Sequence, residues 1–404
     1  MRSRPSLCLP FCMLLAVLLA SPLAARTWAS PKYKVLHAFG TGSDLGGLWS
    51  SLVLDGHGRL YGTATGGGAY GGGGVFRLSP RADGRWTETI LHSFNGKDGA
   101  MAFGGLLLDA RGILYGTTEG GGEHYGNVFE LSPGTGGWQE TVLYNFPLPG
   151  GGCCPYAGVV RDNSGNLFGV TYSAYRLARG SKGWKATVLH NFTGNRGDGS
   201  GPYAVPILDA SGNLYGTTEG GGNYRCGGGC GTVYELSPQP DGKWKETILH
   251  RFQASWDGAF PGVGALVLDD SGNLYGTAQG GSSGHGVIFK LSRSSSGRWK
   301  ETVLYDIPGG PSGADPSAGV VMDKAGDLFG TTSVGGDPNC NCGVVYELSP
   351  AANDKWTYTV LHRFVGSDGA LPDANLILDD KGNLYGTASA GGAFGYGVAF
   401  ELTP

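Results

Sequence analysis

The chain has 404 residues, of which 77 are glycine, about 19% where ordinary usage is about 7%. Apolar residues at 40% and aromatics at 11% are enough for a core, which excludes a disordered chain, and no Gly-X-Y register persists, which excludes collagen. Charged residues make up only 15%, with 29 Lys+Arg against 33 Asp+Glu and a net charge of −4; a coiled coil and a nucleic-acid surface are both excluded, because the latter needs a basic footprint.

Arg2 and Arg4 precede an apolar stretch from Leu7 to Ala20 and the small residues Ser21-Pro22-Leu23-Ala24-Ala25. That order reads as a secretory signal peptide over residues 1–25. The apolar stretch is interrupted by Pro10 and falls short of the roughly 20 residues that a spanning helix needs. We expect export, no membrane association after cleavage, and a single domain over residues 32–404.

The rest of the chain is one motif repeated. Leu-Tyr-Gly-Thr begins at Leu60, Leu114, Leu214, Leu274 and Leu384, and its variants begin at Leu167 and Leu328. The seven copies lie 47 to 60 residues apart, and each unit divides into four short apolar runs separated by Gly, Pro, Asn or Asp. In one unit these are Leu106–Asp109, Leu114–Thr118, Val128–Leu131 and Trp138–Phe146. Four strands per repeat predict an all-β, seven-bladed β-propeller with four-stranded blades. The last unit stops after its third strand, at Phe400-Glu401-Leu402, while Tyr33–Phe39 matches the fourth-strand pattern of Thr89–Phe94. The N-terminal strand is therefore expected to complete the last blade, leaving no open edge at the seam.

Leu-Tyr-Gly-Thr-Thr, Gly-Gly, Val-Phe-Glu-Leu-Ser-Pro, a Val-Leu-His-x-Phe strand and an Asp-Gly-Ala turn together resemble the GloVer tandem repeat of secreted bacterial proteins, over residues 33 to 404. The resemblance implies a repeat-built exported protein and no particular reaction. A looser likeness to kelch propellers rests on Gly121-Gly122 and the Trp138 that opens a fourth strand.

Most recurring residues read as architecture. The motif glycines, Gly62 through Gly386, suggest close approach, which we expect to come from an aromatic of the neighbouring blade. Asp-x-x-Gly, as at Asp209–Gly212, is hairpin chemistry with too few oxygen ligands for calcium. His37, His92, His190, His250 and His362 share one fourth-strand position, so symmetry keeps them from forming one metal site. Segments such as Gly66-Gly67-Gly68 lack the lysine and helix of a phosphate loop. No metal and no cofactor is expected. The acids Asp44, Asp98, Asp198, Asp257, Asp315 and Asp368 read first as turn residues and second as an acidic rim.

Six cysteines follow the leader, as Cys153/Cys154, Cys226/Cys230 and Cys340/Cys342. In an exported chain they predict local disulfides, foremost Cys226 to Cys230.

Function should lie where the repeat breaks its own symmetry. Five residues after each motif leucine stand Thr65, Glu119, Tyr172, Glu219, Gln279, Ser333 and Ser389. Glu119, Tyr172 and Glu219 fall on three consecutive units, the middle one has lost its Gly-Gly loop, and Tyr156 enters it from the same face. Two carboxylates and two tyrosines predict a cleft over the third blade that binds a sugar through hydroxyls and ring faces. The expectation is a monomeric, noncatalytic binding or scaffold module for an extracytoplasmic glycan or protein. The alternative is a carbohydrate-active hydrolase or lyase using Glu119 and Glu219, whose carboxyls would need to stand about 5 to 9.5 Å apart.

Overall fold

A computed structural model describes residues 30–40, 43–122, 125–147, 154–195 and 197–403. The leader and Cys153 lie outside them. Apart from one 3-10 turn at Gly310–Ser312, every regular element of the described residues is a strand. Seven four-stranded antiparallel sheets follow one another in chain order. Blade 1 is typical: Val53–Leu54, Leu60–Ala64, Gly74–Pro80 and Trp86–Ser93. Blade 7 combines Ile377–Leu378, Leu384–Ala388 and Val398–Thr403 with the N-terminal strand Lys32–Ala38, which pairs from Lys32↔Thr403 to Ala38↔Val398. The ring closes as the sequence predicts.

The motif Leu-Tyr-Gly-Thr is the second strand of each blade, and each letter has a separate task. Its leucine is buried in the core. Its tyrosine reaches the hairpin aspartate: Tyr215 donates to Asp209 at 3.2 Å, while the same carboxylate accepts from the Ser211 and Asn213 amides at 2.8 Å. The Asp-x-x-Gly turn is thus tied to the strand that follows it.

The glycine requires one correction. The aromatic lying across it comes from the third strand of its own blade, not from a neighbouring blade. Gly62 is the register partner of Phe76, and a Cβ there would fall 2.5 Å from the Phe76 ring. Gly216 stands likewise against Tyr234 and Gly386 against Phe400. A blade's cross-strand partners lie directly opposite one another, so the nearest ring is local. The neighbouring blade contributes one layer further out, where Phe94, just past the fourth strand, packs on Phe129 of the next blade at 5.3 Å and Phe39 on Phe76 at 4.9 Å.

The threonine links the blades. Thr63 donates to the Gly104 carbonyl at 3.0 Å, Thr117 to Ala157 at 2.8 Å, Thr277 to Ala318 at 2.7 Å and Thr331 to Pro372 at 2.7 Å. Thr387 joins blade 7 to blade 1 by donating to Ser50 at 3.1 Å. Each of these five hydroxyls satisfies a carbonyl of the next blade, whereas blade 3 carries Val170 at this position and the Thr217 hydroxyl of blade 4 makes no such bond among the described residues.

A further regularity is invisible in the sequence pattern. Every fourth strand carries a β-bulge at its leucine; in blade 1, Phe76 pairs with Ile90 and Val75 with His92, so Leu91 is skipped. The same shift recurs at Leu36, Leu143, Leu189, Leu249, Leu304 and Leu361. A bulge re-aims the side chains beyond it, here the leucine and the histidine that follows.

Candidate functional site

The chain enters every blade through a residue in the left-handed region. Met101, Cys154, Phe260, Asp315 and Leu371 have φ between 48° and 60°, and Gly47 and Gly201 have 72° and 68°. A bulky residue at positive φ is strained, by about 1–3 kcal/mol, and is held there by backbone bonds on both sides. The Leu371 amide donates to the Cys342 carbonyl at 3.1 Å, and its own carbonyl accepts from the Ser389 amide at 3.0 Å. Glu119 and Glu219 are pinned in the same way, to Met101 and Gly201 at 3.0 Å. In blades 1, 2, 4, 6 and 7 the symmetry-breaking position after the motif is therefore bonded to the residue at which the blade begins.

Just beyond the kink comes a second variable position. Counting back from the first strands, it holds Trp49, Phe103, Tyr156, Tyr203, Val263, Ser317 and Asp373 in blades 1 to 7. All seven line one cavity of about 290 Å³. Residues from seven blades can share one cavity only at the ring axis, so this is the mouth of the propeller's central channel.

The mouth has two unlike halves. Over blades 1 to 4 it is aromatic: Trp49 and Phe103 are 6.4 Å apart between ring centroids, Phe103 and Tyr156 5.6 Å, and Tyr156 and Tyr203 5.3 Å. Trp49 keeps 44% of its surface exposed and Tyr156 38%, so these rings are available to a ligand. Over blades 6 and 7 it is polar. Ser333 donates to Asp373, and Ser389 donates to the same carboxylate at 3.2 Å. Burial raises the Asp373 carboxyl above the usual range, an effect the two hydroxyls oppose.

Of the residues expected from the sequence, Tyr156 and Glu219 line the mouth. The Tyr156 hydroxyl donates to Glu119 Oε1 at 2.6 Å, and this bond, with burial and the Glu119 charge, pushes the phenol far above its usual range. Burial and the Glu219 charge likewise raise Tyr203. Tyr172 stands outside the cavity lining, 55% exposed. The concavity lies over the axis rather than over blade 3. Trp49, Phe103 and Tyr203 were missed by sequence reasoning, although the signal was present: an aromatic four residues before the start of the first strand in four successive units.

The tips of the second-to-third-strand loops share this face, since Leu45–Gly46 pairs with Gly66–Gly67 and Gly199–Ser200 with Gly220–Gly221. Blade 3 has no such pairing among the described residues and turns directly from Thr171 to Ser173. Disulfides join Cys226 to Cys230 and Cys340 to Cys342 on this face, both as expected. The expected Cys153–Cys154 pair reaches outside the described residues.

The recurring acids are turn residues first. Asp98 accepts from the Asn95 amide at 2.9 Å, Asp198 from Thr193 at 2.7 Å and Asp368 from Val365 at 2.8 Å, whereas Asp315 occupies a left-handed rim position. They also meet the fourth-strand histidines. His92 and His190 lie 3.2 Å from Asp98 and Asp198, and His250 lies 3.3 Å from Asp257. The next blade adds a glutamate to each of these pairs: Glu140, Glu246 and Glu301. Burial, with the charge of the adjacent aspartate, pushes these carboxyls up to about 7 and pushes Glu88, beside Asp44, to about 8.

The fold and mouth define a seven-bladed β-propeller with one ligand-sized concavity on its axis. The sequence matches the Gloeobacter/Verrucomicrobia repeat over residues 26–181 and 174–400, and the chain belongs to that family. No curated protein matches it. Among solved structures it is similar to one named as a putative oxidoreductase (glucose dehydrogenase) from Thermus thermophilus, at 13% identity and a TM-score of 0.44, covering 92% of this chain and 99% of that one. Among the described residues no helix is long and apolar enough to cross a membrane.

Proposed function

We propose that this propeller is an exported binding module that takes a carbohydrate at the axial mouth without turning it over. The observation that carries the reading is the arc of Trp49, Phe103, Tyr156 and Tyr203 around a cavity of about 290 Å³, near the lower end of small-molecule sites. Aromatic faces suit the C–H faces of a sugar, and the flanking Glu219, Gln279 and Asp373 suit its hydroxyls. Glu119 is already engaged by Tyr156, which favours a positioning role over acid–base work. Two disulfides suit an oxidising compartment, in line with the leader-like N-terminus.

A glycan array and a polysaccharide-degradation screen on the purified protein test this reading, repeated with Glu119→Gln and Glu219→Gln. Saturable glycan binding without product release, weakened by Glu219→Gln, is expected. Release of sugar that disappears in both variants would replace the binding module with a hydrolase or lyase, and binding of protein alone would move the ligand class.

A further inference from the structure

The fourth-strand histidines lie at the blade interfaces, away from the axial mouth. Strand four alternates, so the Trp that opens it and the residue two places on face the preceding blade; Trp86 packs on Tyr385 of blade 7 at 6.5 Å. Glu88 shares that face, and it meets His37 and Asp44 from across the interface. His190, Asp198 and Glu246 repeat the arrangement between blades 3 and 4. In each trio one ligand-capable atom per residue lies within 4.8 Å of the other two.

From this we infer that the His37/Asp44/Glu88 and His190/Asp198/Glu246 clusters are interfacial sites for a borderline divalent cation of the zinc class. Three observations converge. The histidine–glutamate separations suit a shared ion better than a direct hydrogen bond: His190 Nε2, which is hydrogen-bonded to Asp198 at 3.2 Å, stands 3.5 Å from Glu246, and His37 Nε2 stands 3.8 Å from Glu88. Charge-assisted N–H···O bonds are about 2.7–2.9 Å long, whereas two ligands about 2.1 Å from a tetrahedral zinc lie about 3.4 Å apart. Next, His37 Nε2, Glu88 Oε1 and Glu246 Oε1 are buried without a hydrogen-bond partner among the described residues, a costly state that a cation relieves.

The third observation is internal covariation. Glutamate appears at this position only where the preceding blade offers histidine: Glu88 with His37, Glu140 with His92, Glu246 with His190 and Glu301 with His250. Where the preceding blade has Tyr144, the position is Ala186; where it has Tyr305, it is Tyr358, which stacks on it at 4.6 Å. At the seam, Tyr33 stacks on His362 at 3.8 Å. The acid is thus present as the histidine's partner, not as a general feature of the strand. Imidazole with carboxylates selects zinc-class ions over calcium or magnesium.

The test is zinc titration of the full, chelator-stripped and thiol-alkylated protein at neutral pH, read by calorimetry and elemental analysis. One equivalent per cluster, about two per chain, is expected. Glu88→Gln and Glu246→Gln should each remove one equivalent, and cobalt loaded in place of zinc should show a visible absorption band that weakens in both. Should a Gln variant fail to fold, His190→Tyr with Glu246→Ala reproduces the Tyr144/Ala186 interface that the protein already tolerates. Less than one equivalent bound by the wild type, or an unchanged stoichiometry in the combined variants, overturns the inference and leaves clusters held by a proton alone. Neither outcome depends on whether the mouth binds a sugar.

Discussion

The packed wall of each blade and the mouth at the ring axis are built by the same repeat, yet they follow opposite rules. On the wall, the glycine and its cross-strand aromatic recur in all seven blades, as at Gly62/Phe76 and Gly386/Phe400. At the mouth, the position four residues before the start of each first strand changes from Trp49 to Asp373 around the circle. Repetition marks what every blade needs in order to stack; departure from it marks what the assembled ring can do that no blade does alone.

The sharpest way to break this division is at the wall. Gly216→Val should cost about 3 kcal/mol or more, because the new Cβ would overlap the buried Tyr234 hydroxyl and no rotamer moves it clear. Gly56→Ala, where nothing lies within 4 Å, should fall within about 0.5 kcal/mol of wild type. Chemical denaturation of the two variants measures the contrast. Equal stabilities would show that the recurring glycine is not a packing requirement.

The next largest effect belongs to the mouth and should leave stability unchanged. Trp49→Ala removes a half-exposed ring and is expected to weaken glycan binding about tenfold, the equivalent of about 1.4 kcal/mol, with the melting temperature preserved. Val263→Ala, across the aromatic and polar halves, should change affinity much less. If the two variants bound alike, the aromatic arc would not be the recognition element.

The wall was legible from sequence because its residues recur at fixed spacing and turn chemistry is local. Four strands per unit, the seam at Tyr33–Phe39 and the Cys226–Cys230 bridge all follow from counting and from short-range geometry. The mouth was only half legible. Tyr156 and Glu219 stand out in the sequence because blade 3 is irregular, but Trp49 and Phe103 lie in crossings whose path depends on the left-handed residues Gly47 and Met101, which no composition rule marks. The interface clusters were hidden for a different reason. A histidine read alone has no partner, and the glutamate that meets it lies one blade further along the chain, 51 residues on in the case of His37 and Glu88.

Those interfaces give a pH dependence with a definite sign. Glu140 and Glu301 have carboxyls raised to about 7 by burial and by Asp98 and Asp257. The folded state therefore holds these protons more tightly than the unfolded chain, and their contribution to stability is lost as pH rises from the ordinary carboxyl range to about 7. His92, pushed below its usual value by burial, works the other way below about pH 6.5, so the window above that value isolates the carboxyls. In the presence of chelator the melting temperature should fall by a few degrees between about pH 6.5 and 8. Glu140→Gln with Glu301→Gln should reduce the fall, leaving the share of Glu88 and Glu246, whose carboxyls are raised to about 8 and about 7. A steeper decline in the double variant would mean that these carboxylates stabilise the charged interface.

The smallest effect tests the division within a single motif letter. The threonine hydroxyl joins blade 7 to blade 1 through Thr387 and Ser50, but in blade 4 the buried Thr217 hydroxyl has no hydrogen-bond partner among the described residues. The next crossing also differs: blade 5 carries one more residue than its counterparts between its left-handed residue and its first strand. A hydrogen bond made is worth about 1 kcal/mol, and a buried group left unsatisfied costs a similar amount. Thr387→Val should therefore destabilise by about 1 kcal/mol, whereas Thr217→Val should be neutral or stabilising. Because the two substitutions are chemically identical and both sites are buried, their difference isolates the bond itself. A loss at both positions would mean that the hydroxyl serves strand geometry within the blade and not the joining of blades.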